Sequence, residues 1–164
     1  YVTATTSTRN VDMVKKLGSD KVIDYTKENC EELGEQFDVV YDTLGGEYTL
    51  NSFRVLKPGG RVVSIAGDLD EITTQQLKLN RLIRFLISLK AKKVTNAASK
   101  LGASYRFLLM SPNGGQLKKL AELYESEKIK PIIDKTYTFE ESIQAIKYLS
   151  EGHAKGKVVV KMLK

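Results

Sequence analysis

The sequence predicts an α/β fold built on a doubly wound parallel sheet, and three observations carry that expectation. Short β-branched runs alternate with helix-compatible stretches from Val2 to Ala66. The connections between them are short. The clearest unit, Val39 to Gly67, reads strand, helix, strand, and two strands joined through a helix lie parallel. Ligands in open parallel sheets collect off the carboxyl ends of the strands. Here those ends carry Asp42-Thr43-Leu44-Gly45-Gly46 and Ala66-Gly67-Asp68. Their small residues would let a ligand approach the backbone, so a site is expected there.

In order, Val2-Thr3-Ala4-Thr5-Thr6 reads as a strand ended by Ser7-Thr8-Arg9-Asn10. Val11 to Leu17 is a helix with Gly18 as its stop. Lys21 to Tyr25 is a second strand, Thr26 a helix cap, and Glu28 to Leu33 a short helix. After the Val39 strand a helix is expected from Glu47 to Leu56, burying Leu50, Phe53, Val55 and Leu56. Pro58-Gly59-Gly60 should stop it before the strand Arg61 to Ala66. From Thr73 a long helical stretch should bury Leu79, Leu82, Ile83, Leu86 and Leu89, with Lys78, Arg81, Arg84 and Lys92 mostly opposite. Ser104 to Met110 returns to strand. A helix over Gln116 to Glu127 should bury Leu117, Leu120, Ala121 and Tyr124. Ile129 to Tyr137 reads as an edge strand, because Pro131 has no N–H to donate. Thr138 and Glu141 form a capping box for a helix carrying Ile143, Ala145, Ile146 and Leu149 inward. Lys157 to Met162 is the closing strand.

At 164 residues, 41% of them hydrophobic, the chain can bury a substantial core. No apolar run approaches the roughly 18 residues that a membrane span needs. The chain opens on Tyr1 inside a strand-like run, which predicts that it is a piece of something longer. Cys30 stands alone, so no internal disulfide can form, and that fits a reducing, cytoplasmic compartment. The formal charge of +6 is local. Ile72 to Arg106 holds eight basic residues and no acid, and taking those eight away leaves the rest at −2. This basic segment suits a solvated face or subunit contact, or else a nucleic-acid or membrane surface.

Chemistry is concentrated in the turn Thr6-Ser7-Thr8-Arg9-Asn10. A carboxylate at such a strand end binds a ribose diol and repels a 2′-phosphate, whereas hydroxyls and an Arg accept one. Here there are hydroxyls and Arg9. Read blandly, the same residues are a Ser/Thr helix cap. His153 is the one histidine and no nucleophile elbow is present, which argues against a Ser–His–Asp hydrolase. One Cys and one His without ligand spacing argue against a metal site.

The segments KKLGSDKVIDYTKE (15–28), VVYDTLGG (39–46), LKPGGRVVSIAG (56–67) and KIKPIIDKTYTFEESIQAIKYLSEGHAKGKVVV (128–160) resemble the second half of a medium-chain dehydrogenase/reductase. The resemblance is to the NADPH:quinone oxidoreductase branch, with the strand near Tyr105 and GHAKGK nearest its reticulon-interacting mitochondrial members and their bacterial relatives. It implies a Rossmann-like cofactor domain over residues 1–128 whose first strand and glycine loop lie upstream. Residues 129–164 would return to a GroES-like catalytic domain. It further implies NADP as cofactor and a zinc-independent reduction of quinones or activated enones and carbonyls, which these residues alone would not perform. Carried over by position, Ser7 and Tyr25 hold the adenosine 2′-phosphate end, and Arg9 stands in for a Lys that many relatives place at Asn10. Ile65 lies along the cofactor, Leu108 and Met110 line the nicotinamide side, and His153, Ala154 and Lys155 close over it. A small-molecule substrate and a homodimer are implied as partners. The rivals are a zinc-type alcohol dehydrogenase of the same superfamily, and a non-catalytic protein using the basic 72–106 segment on nucleic acid or membrane.

Overall fold

The computed structural model describes residues 1–162 apart from Leu33 and Glu35. The chain forms two compact units, Tyr1–Ser111 and Pro112–Lys164. Among the described residues all strand pairing is parallel, as the alternation of strands and helices requires.

In the first unit β1 (Thr3–Thr6) leads through a 3-10 turn, Thr8–Asn10, into α1 (Val11–Lys16) and β2 (Lys21–Asp24). β1 and β2 pair from Thr3–Lys21 to Thr6–Asp24. A second sheet holds β3 (Phe37–Asp42), β4 (Leu56–Ser64) and β5 (Ser104–Phe107) in the order β3-β4-β5. α2 (Glu47–Ser52) crosses from β3 to β4. α3 (Glu71–Gln76), α4 (Arg81–Lys90) and α5 (Lys92–Lys100) fill the span between β4 and β5. The core is the contact of α2 and α5 with β4, where Phe53, Leu56, Val62, Val94 and Ala98 are buried. Val40, Leu50 and Tyr105 pack around it.

Several expectations are corrected here. α2 stops at Ser52, so Val55 and Leu56 are not on it. Leu56 instead starts β4 opposite Phe37, and the strand runs on through Pro58-Gly59-Gly60. The register shift between Phe37 and Val39 absorbs these residues, and the Gly59 N–H turns away to Leu101 O at 3.0 Å. Pro58 is therefore tolerated in a bulged stretch rather than ending a helix. The expected Glu28–Leu33 helix is a 3-10 turn at Cys30–Glu32, with Leu33 outside the described residues. It is capped by Asn29, whose side chain accepts from Glu31 N, and not by Thr26. The long helix beyond Ile72 is three helices. Lys78 at φ +52° breaks the first from the second, and the Asp70 and Asn80 side chains cap α3 and α4. α4 is also turned over. Leu82, Leu86 and Leu89 are exposed, while Arg84 and Ile87 are half-buried and Ala91, just past its end, is buried. β5 ends at Phe107, so Leu108 to Met110 lie beyond the ladder.

The second unit holds α6 (Gly114–Glu125), β6 (Ile133–Thr138), α7 (Ser142–Ser150) and β7 (Lys157–Lys161). β6 and β7 make a two-stranded sheet. Two strands offer little surface to cover. Accordingly Leu117, Leu120, Tyr124, Ile143, Ile146 and Leu149, all expected inside, are exposed within this structure, and Ala145 alone of α7 is buried. Half of the expected capping box is present. Glu141 accepts from Thr138 N at 2.9 Å, but α7 begins after Glu141, so the contact closes the preceding turn. No helix among the described residues is long and apolar enough to cross a membrane.

Candidate functional site

The carboxyl ends of β3, β4 and β5 are knitted together by two buried carboxylates. Asp42, the last residue of β3, accepts from Leu44 N at 2.9 Å, Gly45 N at 3.0 Å, Thr49 Oγ1 at 2.5 Å and Ser64 Oγ at 2.8 Å. Burial pushes its pKa up, but the Thr49 hydroxyl, these two amides and Ser64 outweigh it and hold the carboxyl below its ordinary range. Asp70 accepts from Thr73 N at 2.7 Å, Phe107 N at 3.1 Å and Arg106 Nη1 at 2.5 Å, tying α3 to β5. Tyr105 Oη donates to Asp68 O at 2.6 Å. Burial, with the charges of Asp68, Asp42 and Asp70, pushes that phenol up to about 12 despite a bond to Ser64.

The glycines here do not open the backbone to a ligand, contrary to the sequence expectation. A Cβ on Gly45 would lie 2.2 Å from Ala66 O. One on Gly67 would lie 2.5 Å from Tyr105 Oη and 2.8 Å from Ser64 Oγ. Their missing side chains let the two loops close on each other. Gly46 is the exception, with open space where a Cβ would stand.

The ends of β1 and β2 are built differently. Thr6 and Asp24 are paired, and Tyr25 N donates to Thr6 O at 3.1 Å, so Ser7 and Tyr25 leave neighbouring strands at one level. Ser7 is extended at φ −81°, ψ 158°, and its hydroxyl makes no capping bond, although the position is an N-cap. Arg9 and Tyr25 are exposed. The Asn10 Oδ1 is buried and lacks a hydrogen-bond partner. Beneath them Asp24 accepts from Thr8 Oγ1 and Thr26 Oγ1, both at 2.6 Å, and from Thr26 N at 3.1 Å. The hydroxyls of Thr26 and Thr8 hold its carboxyl down at about 2. Two corrections follow. Thr8, expected to offer its hydroxyl to a ligand, donates it to Asp24. And an acid does lie near this turn, on β2, with its oxygens engaged by protein donors.

Ile65 follows β4, exposed, with its N–H donating to Asp42 O at 3.0 Å. Leu108 follows β5 on the adjacent strand, with N donating to Ser64 O at 2.8 Å. The two therefore stand side by side, and Met110 lies farther along, 81% exposed. A cavity of about 320 Å³ sits beside Leu108, lined by Gln76, Leu77, Arg106 and Leu109 among others. His153, Ala154 and Lys155 are in the second unit, in the loop from α7 to β7, where Lys155 N donates to Asp134 at 3.0 Å. Ser7, Arg9 and Tyr25 are thus brought together, and so are Ile65 and Leu108.

Comparison with known proteins decides the family. A model of the zinc-binding dehydrogenase family matches residues 17–160. The chain belongs to that family. This zinc-binding dehydrogenase chain is 38% identical over 162 residues to the 2-methylene-furan-3-one reductase of Solanum lycopersicum, and 36% identical over 161 to the chloroplastic NADPH-dependent alkenal/one oxidoreductase of Arabidopsis thaliana. Each alignment covers 97% of the chain and 33% of the relative. The solved quinone oxidoreductase of Coxiella burnetii superposes over 99% of the chain and 45% of its own, with a TM-score of 0.74 and 27% identity. The dehydrogenase chain thus spans less than half the length of these relatives, and its α/β architecture with parallel sheets is theirs.

NADP and zinc, the two groups such relatives imply, fit these residues differently. Ser7, Arg9 and Tyr25 supply hydroxyl and guanidinium donors, which suit the 2′-phosphate of NADP. A zinc ion finds no such set, because among the described residues no three of His, Cys, Asp and Glu are grouped to hold a metal. Sequence reasoning missed Asp24, Asp70 and Tyr105 as organisers of these strand ends. The signal for Asp24 was present: Asp-x-Thr after a strand favours a turn closed by the Asp side chain.

Proposed function

We propose that this chain is the cofactor-binding part of a zinc-independent, NADPH-dependent oxidoreductase acting on quinones or activated enones and carbonyls. The supporting observation is the joint end of β1 and β2, where Ser7, whose hydroxyl makes no capping bond, lies with Arg9 and Tyr25 and the Asp24 carboxylate beneath them is held by Thr8 and Thr26. The relatives named above are NADPH-dependent or act on an enone or a quinone, which supports the same reading. Residues 1–128 are the partial cofactor domain in this proposal. The sheets β2-β1 and β3-β4-β5 are not paired with each other, so one further strand between them would complete a doubly wound sheet. Residues 129–164 belong with the catalytic domain. NADPH, when bound, supplies the hydride. The chain's own residues bind and orient: Ser7, Arg9 and Tyr25 take the 2′-phosphate, Ile65, Leu108 and Met110 exclude water along the nicotinamide, and the segment of His153, Ala154 and Lys155 closes over the cofactor. These residues alone lack turnover. A cytoplasmic, homodimeric protein is the setting proposed, with β5 an open strand edge available for pairing. Nucleic acid is not a partner in this reading, because Arg84, Lys90 and Arg106 of the basic segment pair with Glu71, Asp68 and Asp70.

The test is cofactor preference in the full-length protein. Wild type should prefer NADPH over NADH. Arg9→Ala should raise the KM for NADPH roughly tenfold to a hundredfold, the loss of a charge-assisted hydrogen bond, with NADH nearly unchanged. Ser7→Asp should do the same and improve NADH, by offering the diol an acceptor. A wild type indifferent to the 2′-phosphate, or variants with an unchanged ratio, would leave the turn as a helix cap and sink the proposal.

A further inference from the structure

α4 presents its apolar side outward. Leu82, Phe85, Leu86 and Leu89 recur at helical spacing, so they form one stripe, and each is at least half exposed. Cations bracket the stripe, with Lys78 and Arg81 at its amino end and Lys90, Lys92 and Lys93 at its carboxyl end, all of them exposed. Two acids reach in from outside the basic segment, Glu71 to Arg84 and Asp68 to Lys90. Lys78, Arg81, Lys92 and Lys93 make no ion pair among the described residues.

The other helices with exposed apolar faces differ in the sign of their charges. α6 exposes Leu117, Leu120 and Tyr124 beside Lys118, Lys119, Glu122 and Glu125. α7 exposes Ile143, Ile146 and Leu149, with Lys147 on the helix and Glu141 and Glu151 at its two ends. Mixed charges suit a protein neighbour, which can answer both signs. α4 carries Arg81, Arg84 and Lys90 and no acid. A second copy docked on the same stripe would bring like charges together. Nucleic acid would meet the cations but leave four large apolar side chains against a polar backbone. An anionic bilayer surface answers both features. Leucine and phenylalanine enter the boundary between headgroups and acyl chains, and lysines and arginines reach the lipid phosphates and carboxylates. At ten residues the helix is too short to span a bilayer, so it would lie in the surface.

We propose that α4, with the start of α5, is a docking surface for an anionic membrane. Leu82, Phe85, Leu86 and Leu89 insert, and Lys78, Arg81, Lys92 and Lys93 bind the headgroups. Co-sedimentation of the full-length protein with phosphatidylcholine vesicles, with and without phosphatidylserine, tests it. The protein should pellet with the phosphatidylserine vesicles only, and added salt should release it. Lys92→Gln with Lys93→Gln, and separately Leu82→Gln with Leu86→Gln, should each weaken partitioning about tenfold or more. Glutamine keeps the helix propensity, so without lipid the leucine variant should melt with wild type. No partitioning onto phosphatidylserine vesicles would overturn the proposal. So would partitioning unchanged in either variant, because the apolar stripe and the cations are both required. Displacement from the vesicles by a short duplex DNA that the leucine variant binds as tightly as wild type would assign the surface to nucleic acid instead. A lower melting temperature for the leucine variant in lipid-free buffer would overturn it too, by showing that a second copy or another part of the protein already covers the stripe.

Discussion

The two sets of strand ends in the first unit differ in what their polar groups face. Beyond β3, β4 and β5, Thr49 and Ser64 answer Asp42, Arg106 answers Asp70 and the Asp68 carbonyl answers Tyr105, and the two key glycines are filled against by protein atoms. Beyond β1 and β2 Asp24 is so engaged by Thr8 and Thr26, while Arg9 and Tyr25 are exposed and Ser7 is half-buried. Polar side chains at a strand end thus serve two purposes, and burial tells them apart. A buried, fully answered group holds loops in place, whereas donors nearer the surface can be reached by a ligand.

The contrast breaks most visibly at Gly45. Gly45→Ala puts a Cβ 2.2 Å from Ala66 O at φ +75°, so backbone must move. Urea unfolding should show a loss of more than about 3 kcal/mol, where strain and overpacking add. Asp42→Asn keeps the shape but removes the charge and replaces one acceptor oxygen with an NH2 donor; with Oδ1 left to the Leu44 and Gly45 amides, the NH2 faces the Thr49 and Ser64 hydroxyls that donate to Oδ2. A loss of about 2–3 kcal/mol is expected by the same measurement. Gly67→Ala should cost about 1–3 kcal/mol, because its Cβ meets the Tyr105 hydroxyl and Ser64 rather than backbone.

On the other side of the comparison, Arg9→Ala should leave stability within about 0.5 kcal/mol, as for an exposed side chain, while shifting cofactor preference. If it unfolds the protein as Asp42→Asn does, the distinction between the two strand ends is wrong. Asp24 gives the sharpest pH signature. Its folded pKa of about 2 lies below its ordinary value, so its contribution is present above about pH 4 and is lost as pH falls towards 2. Melting temperature against pH for wild type and Asp24→Asn should converge at the acid end. Curves that stay parallel would show that Asp24 does not hold the Thr8 turn.

By itself the sequence determined the alternation of strands and helices, the parallel pairing, the turn at Ser7 to Asn10 and the resemblance to the dehydrogenase family. Each rests on local chemistry: β-branched runs, Pro and Gly stops, hydroxyls before a helix and motifs read directly from residues. Only the tertiary structure decided which polar groups answer one another. Asp24 and Thr8 are 16 residues apart, and Asp70 and Arg106 are 36. It also decided the facing of α4, since periodicity marks an apolar stripe but not what lies against it. The same limit explains why Gly45 and Gly67 read as openings for a ligand: a missing side chain looks identical in sequence whether a ligand or another loop takes its place.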